Sequence, residues 1–323
     1  MNSTTKAEQN FGGGILKQLN SSRKNYKFSN YTQLYMMTLP FIALVMVFNY
    51  LPLWGWSIAF VDYSPGVSVF KSAFVGLDNF KSLFSTSEFT MVLRNTLALS
   101  SLNILTSVIP ILFAILLTEL RNSKFQRIIQ TVTSFPNFIS WIIVYAIFYS
   151  FFSVDDGLIN QILFNKLHLF NQPTDILANP KYTWGLMTVL NLWKNMGYTA
   201  IIYIAAIAGI DQELYQAAQV DGAGRFKQIW HITIPGILPT YSVMLLLSVG
   251  NMLNAGFDQY WVFRNSLTND VIQVIDTFTY YVGLINMDFA YSTAAGIFKT
   301  AISIILLFVA NSIVKKATGK SIL

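Results

Sequence analysis

Six stretches of roughly twenty or more mostly apolar residues run through this chain, at 34–60, 95–118, 128–152, 184–210, 235–257 and 292–313. Each is long enough for a helix to cross the hydrocarbon core of a bilayer. There the backbone must satisfy its own hydrogen bonds, which leaves helices or closed barrels as spanning structures. The pattern predicts an all-α integral membrane protein with six transmembrane helices. Charge supports this: 11% of the 323 residues are charged and 54% hydrophobic, where a soluble domain carries about 25% charged residues. So few charges cannot cover a water-facing surface, and disordered chains are poor in apolar residues.

The expected organisation is a polar tail at 1–30, a membrane domain at 31–314 and a short tail at 315–323. The first apolar stretch is too long and too far along the chain for a cleaved signal peptide, whose apolar core is about 7–15 residues. Net charge is +6. The basic residues gather in the first tail, in the loop holding Arg121, Lys124 and Arg127, near Arg225 and Lys227, and at the C-terminus. Those four segments hold thirteen basic residues against five acids; the opposite side holds six basic residues and ten acids. Lys/Arg excess marks cytoplasmic loops, so both termini are expected to be cytoplasmic, and the charge needs no nucleic-acid partner. There are no cysteines, and His168 and His231 have no companion at ligand spacing, so no metal site is expected.

The spans are not plain anchors. Pro40, Pro52, Pro110 and Pro136 lie in or near them, where proline kinks helices and frees carbonyls. Asn103, Asn191, Lys194, Asn195, Asn251, Asn254 and Lys299 place polar groups inside. Such groups usually face a bundle interior or a water-filled cavity. Asn191, Asn195 and Tyr198 are spaced four and three apart and share a helix face, with Lys194 on its border. Asn251 and Asn254 are expected to share another. These six are the candidate lining of a solute path, the alternative being an interhelical hydrogen-bond seam. Arg94 and Lys194 are the cations suited to attract an acidic solute, unless each snorkels to a membrane surface. Segments 153–183 and 258–291 are long loops. Val271, Phe278, Tyr280, Tyr281 and Asn286 fall in a stretch with helical spacing, suited to a surface helix or a docking site.

Between the fourth and fifth spans, 211–235 reads as two short helices joined at a bend. Small Ala217 and Ala218 lie in the first, Gly222 can take a left-handed conformation between them, and Pro235 is expected to open the next span. This is the shape of a cytoplasmic docking knob.

The same segment resembles the EAA loop of permease subunits in ATP-binding-cassette (ABC) importers. That pattern is Glu-Ala-Ala, three residues, Gly, nine residues, then Ile-x-Leu-Pro. Ala217, Ala218, Gly222, Ile232 and Pro235 fall in register; Gln216 stands where the family has Glu, and Ile234 where it has Leu. Asp221-Gly222-Ala223 is similar to the carbohydrate branch. So are Phe135 to Trp141, Asp156 to Asn160, Val274 to Thr277 and the end from Met287 to Lys316, which resemble oligosaccharide and polysaccharide permeases.

The resemblance implies a type I ABC importer permease fold in a bacterial inner membrane, with coupling helices between spans four and five. Gln216, Ala217, Ala218, Asp221, Gly222, Phe226 and Pro235 would form the ATPase-coupling loop. Partners would be a second, homologous permease, two cytoplasmic ATPase subunits, an extracytoplasmic sugar-binding protein and an oligosaccharide. The chain has no Gly-x-x-x-x-Gly-Lys-[Ser/Thr] loop, so ATP and Mg would sit on the partner ATPase, with no cofactor and no catalytic residue on this chain. A secondary transporter or channel is the competing class, but none of the 15 acids lies mid-span, where ion coupling would need one. An intramembrane enzyme would need a nucleophile–base pair or acid dyad, and the sequence offers none.

Overall fold

The computed structural model describes residues 31–154, 157–162 and 175–318. Both tails (1–30 and the last residues, 319–323), Asp156 and His168 lie outside the described residues. The chain falls into one unit ending at Ser57 and another running from Ile58. The first holds most of α1, Tyr31–Phe60, a 30-residue helix with an 18-residue stretch of mean hydropathy 1.8. It widens to a π-turn at Met46–Tyr50 and tightens to a 3-10 form from Leu51, next to Pro52.

The second unit opens with a two-residue antiparallel ladder, Val61 opposite Phe74 and Asp62 opposite Ala73, the one strand pairing among the described residues. Then come α2 (Asp78–Ser85), α3 (Ser87–Thr118), α4 (Ser123–Phe138), α5 (Trp141–Phe152), α6 (Pro180–Ala208), α7 (Gln212–Val220), α8 (Arg225–Gly250), α9 (Asp258–Val262), α10 (Asn269–Ile272), α11 (Ile275–Tyr280) and α12 (Phe289–Thr318). Helix starts follow capping chemistry, in which a side-chain oxygen takes an orphan backbone N–H. Asn122 accepts from the N–H of Lys124, Asn179 from Lys181 ahead of a well-placed Pro180, and Asp211 from Glu213.

α3 and α6 run side by side in the same direction. Leu99 packs with Met187 and Leu190 in one cluster, together with Tyr260 and Ile272. Ile111, Ala114 and Ile115 pack with Ala200 and Tyr203 in another, joined by Ile237 of α8. The first cluster therefore marks the end of the bundle that carries α9 and α10, and the second the end that carries α7. α12 closes on α8 at Gly250, where a Cβ would stand 2.6 Å from Leu307 Cδ1.

Among the described residues four helices can cross a membrane by length and composition, α1, α3, α8 and α12, or five if α4 and α5 form one broken span. α6 has 29 residues, about 43 Å at 1.5 Å per residue. Its polar stretch from Asn191 to Asn195 keeps it from passing as a plain apolar span.

Three expectations change. The stretch at 128–152 is not one helix: α4 and α5 meet at 101°. Pro235 stands in the first turn of the α-helical segment Ile234–Gly250, as expected, but the helix does not begin there. α8 starts at Arg225 and accommodates the proline through a π-turn at Ile229–Thr233. That span also stops early, at Gly250. Finally, the helical stretch at 271–286 is divided by extended Gln273 into α10 and α11.

Candidate functional site: a polar cavity and a docking knob

A cavity of about 300 Å³ lies between α3, α6 and α8. Asn103 and Ser107 of α3, Asn191 and Asn195 of α6, and Asn251 and Asn254 beyond α8 supply much of its polar lining. It sits between the two apolar clusters, midway along the helices. Four of the six residues read from the sequence thus meet in one place. The reason differs for the last two. Asn251 is the C-cap of α8 and Asn254 lies in the turn after it, so they do not share a helix face. They meet instead through Asn254 Nδ2, which donates to Asn251 Oδ1 at 3.3 Å.

The amides form a chain. Asn137 Nδ2 donates to Asn195 Oδ1 at 2.8 Å, Asn195 Nδ2 to Asn191 Oδ1 at 3.3 Å, and Asn191 Nδ2 to Gln259 Oε1 at 3.2 Å. Gln259 Nε2 ends the chain on the Met187 carbonyl, 2.7 Å away. On α6 the residues of this hydrogen-bonded seam also line the cavity, with the oxygen and the nitrogen of each amide both engaged in the chain. Asn251 and Asn254 are exposed and bear fewer such ties.

Lys194 and Tyr198 are not in the cavity lining. Tyr198 is exposed on α6. Lys194 is 7% exposed, and its Nζ donates to the carbonyls of Pro136, Asn137 and Ile139 at 3.1, 2.8 and 2.5 Å. All three lie at the α4–α5 bend, where helical bonding is interrupted, although the Pro136 carbonyl also accepts the Ile139 N–H at 3.2 Å. The Lys194 ammonium acts as a cap supplied by another helix, with its charge 5.4 Å from the Trp141 ring. Beside it, α4 and α6 touch backbone to backbone: a Cβ at Gly197 would lie 2.3 Å from the Thr133 carbonyl. Arg94, the other cation suited to an acidic solute, donates to the Asp270 carbonyl at 3.3 Å. Lys299 pairs with Asp276 of α11, and the same carboxylate accepts from the Gly256 N–H at 3.1 Å. Sequence reasoning missed Asn137 and Gln259 as members of the amide chain. Asn137 lies in the motif from Phe135 to Trp141, whereas Gln259 lies in what reads as a loop and carries no local signal.

The second feature is the knob. α7 ends in a Schellman motif: Gly222 has φ +74°, its N–H reaches the Gln219 carbonyl, and the Ala223 N–H reaches the Ala218 carbonyl at 2.8 Å. Tyr215 Oη lies 2.9 Å from Thr233 Oγ1 and ties α7 to α8. Gln216, Ala217, Asp221, Gly222, Phe226 and Pro235 are exposed and Ala218 is half-buried. Val220 is 88% and Phe226 78% exposed, so the knob carries apolar side chains on its surface.

Residues 106–319 match the family described as binding-protein-dependent transport system inner membrane component. The chain belongs to that family. This transport component is 42% identical to Protein LplB of Bacillus subtilis (strain 168) over 284 residues, 88% of each chain. It is 38% identical over 303 residues, 94% of each chain, to the polygalacturonan/rhamnogalacturonan transport system permease protein YteP of the same organism. Among solved structures, a chain of a bacterial alginate ABC transporter, in complex with an alginate pentasaccharide-bound periplasmic protein, matches with TM-score 0.82 and 32% identity, covering 91% of this chain and 98% of that one. As a member of an inner-membrane family with several apolar helices, this transport component is a multi-pass membrane protein.

Proposed function

We propose that the chain is one membrane subunit of an ATP-driven oligosaccharide importer in a bacterial plasma membrane, with six spans and both termini cytoplasmic. In this reading α6 is a span despite its polar stretch, and α4 with α5 forms another. A second permease completes the path, an extracytoplasmic binding protein delivers the saccharide, and two ATPase subunits bind ATP and Mg. The observation that carries the reading is the link between the two features: α6 and α8 line the amide cavity, and α7, the knob, joins those same two helices. A push on α7 moves both walls. Amides facing a cavity suit saccharide hydroxyls, which need donors and acceptors together. The path runs by Asn191, Asn195, Asn251 and Asn254, with Lys194 holding the bend behind it and Tyr198 outside the lining. The relatives' named cargoes support the saccharide class.

Gly222→Val tests the coupling. A Cβ there meets nothing within 4 Å, so the substitution adds no crowding. It costs only the left-handed backbone, about 1–2 kcal/mol, and reshapes the knob. Co-purification with the ATPase, or saccharide-stimulated ATP turnover, should fall while the amount of chain in the membrane holds. Gln216→Glu, which restores the usual family residue, should be tolerated. Unchanged coupling in Gly222→Val membranes means that the ATPase docks elsewhere.

A further inference from the structure

We infer that a second cavity, at the end of the bundle away from α7, is a carboxylate-binding subsite for acidic saccharides, with Arg264 as its charged donor. The inference rests on the saccharide reading above and narrows its substrate class. The cavity measures about 560 Å³ and is lined by Glu88, Arg264, Ser266, Asn269, Gln273 and Tyr281, along with Asn265. Glu88 is in the first turn of α3, while Thr118 at the far end of α3 is on the side of α7. On the proposed orientation this places the cavity at the outer mouth of the path, where the saccharide arrives.

The cations inside or near the spans are otherwise engaged. Lys194 is held by three carbonyls, Arg94 by the Asp270 carbonyl and Lys299 by Asp276. Arg264 has no carboxylate partner among the described residues. Its guanidinium lies over two aromatic faces, 4.2 Å from the Trp261 ring and 5.3 Å from the Tyr281 ring. Aromatic stacking orients the planar fork without using its N–H groups, which stay available for a bidentate carboxylate.

A second observation points to a ligand. Gln273, a residue of the lining, is 2% exposed, and its buried Oε1 has no hydrogen-bond partner among the described residues. A buried acceptor without a donor is costly, and a turn of the Gln273 amide toward the cavity would bring that oxygen to a saccharide hydroxyl. Glu88, on the same cavity, is a further acceptor. Its charge repels a carboxylate and favours hydroxyls, so the ligand is oriented with its carboxylate toward Arg264. Asn265 is spent on the wall: its Oδ1 accepts from the Leu267 and Thr268 N–H groups and its Nδ2 donates to the Leu177 carbonyl. An adjoining cavity shares Asn265 and Ser266 and exposes Tyr145 and Tyr149, aromatic faces for the C–H side of a neighbouring sugar ring. One anion and several hydroxyls on pyranose rings describe a uronic acid oligosaccharide. A neutral sugar would leave Arg264 unused.

The test is uptake by cells carrying the whole importer, with trigalacturonate and its fully methyl-esterified form as probes and immunoblots to match membrane amounts. Arg264→Gln is expected to raise the half-saturating concentration of trigalacturonate about tenfold, with the ester shifted much less. Arg264→Lys, which keeps the charge but loses the fork, should fall between. Equal shifts for both probes, or none for trigalacturonate, would overturn the subsite. If the unmodified importer takes up the ester and not trigalacturonate, the acidic class fails and the saccharide reading stands. If it takes up neither acidic, esterified nor neutral oligosaccharides, the saccharide reading itself fails and the subsite with it.

Discussion

Lys194→Met is expected to destabilise the protein by about 3 kcal/mol or more, since hydrogen bonds from a charged donor are worth about 1.5–3 kcal/mol each and three carbonyls lose theirs together. Those carbonyls belong to Pro136, Asn137 and Ile139 at the α4–α5 bend, where no water of a bulk phase replaces the lost donor. Asn137 also starts the amide chain that runs to Asn195, so loosening the bend should disturb the cavity wall. A thermal melt of the purified importer in detergent would show a lowered midpoint for Lys194→Met, partly restored in Lys194→Arg. An unaltered melt with impaired uptake would instead make Lys194 a residue of the solute path, as its position on α6 suggests from sequence alone.

The second large effect is steric. At Gly197 a Cβ would lie 2.3 Å from both the carbonyl carbon and oxygen of Thr133 and 2.5 Å from the Ser134 nitrogen. These are backbone atoms and cannot swing aside, so α4 must move off α6. Overpacking of this kind costs about 1–3 kcal/mol and sometimes more, and Gly197→Val should reach the upper end. Here too the readout is the melting midpoint. The control is in the same helix: a Cβ at Gly185 would meet nothing within 4 Å, so Gly185→Ala should be neutral or stabilising by up to about 1 kcal/mol. A Gly197→Val protein that melts with the unaltered one would refute the close contact of α4 with α6.

The helices were legible because lipid imposes a long apolar run on each span. The knob was legible because Gly222 and the small residues before it act locally. The bend was only half legible. Pro136 marks where helical bonding fails, but the 101° turn depends on a lysine 55 or more residues further along the chain, and such a donor leaves no local trace. The early end of α8 was readable in principle. Gly250 and Asn251 are stop residues, but the apolar run continues to Phe257 and masked them. Pro235 does stand in the first turn of the α-helical segment Ile234–Gly250, but a π-turn at Ile229–Thr233 carries the same helix back to Arg225. Of the candidate path, the two asparagines on α6 followed from helical spacing. Asn251 and Asn254 reached the same cavity by a turn that spacing alone does not describe.

If the amide cavity is the moving wall of a saccharide path, its exposure must change with the nucleotide state of the importer. The chain has no cysteine, so Asn254→Cys gives a single thiol at the exposed edge of that cavity, in an importer assembled with cysteine-free partners. The rate of its reaction with a membrane-impermeant thiosulfonate should differ between the nucleotide-free and ATP-trapped states, and saccharide should slow it. A thiol whose reactivity is the same in every state, with and without saccharide, in an importer that still transports, would contradict the account.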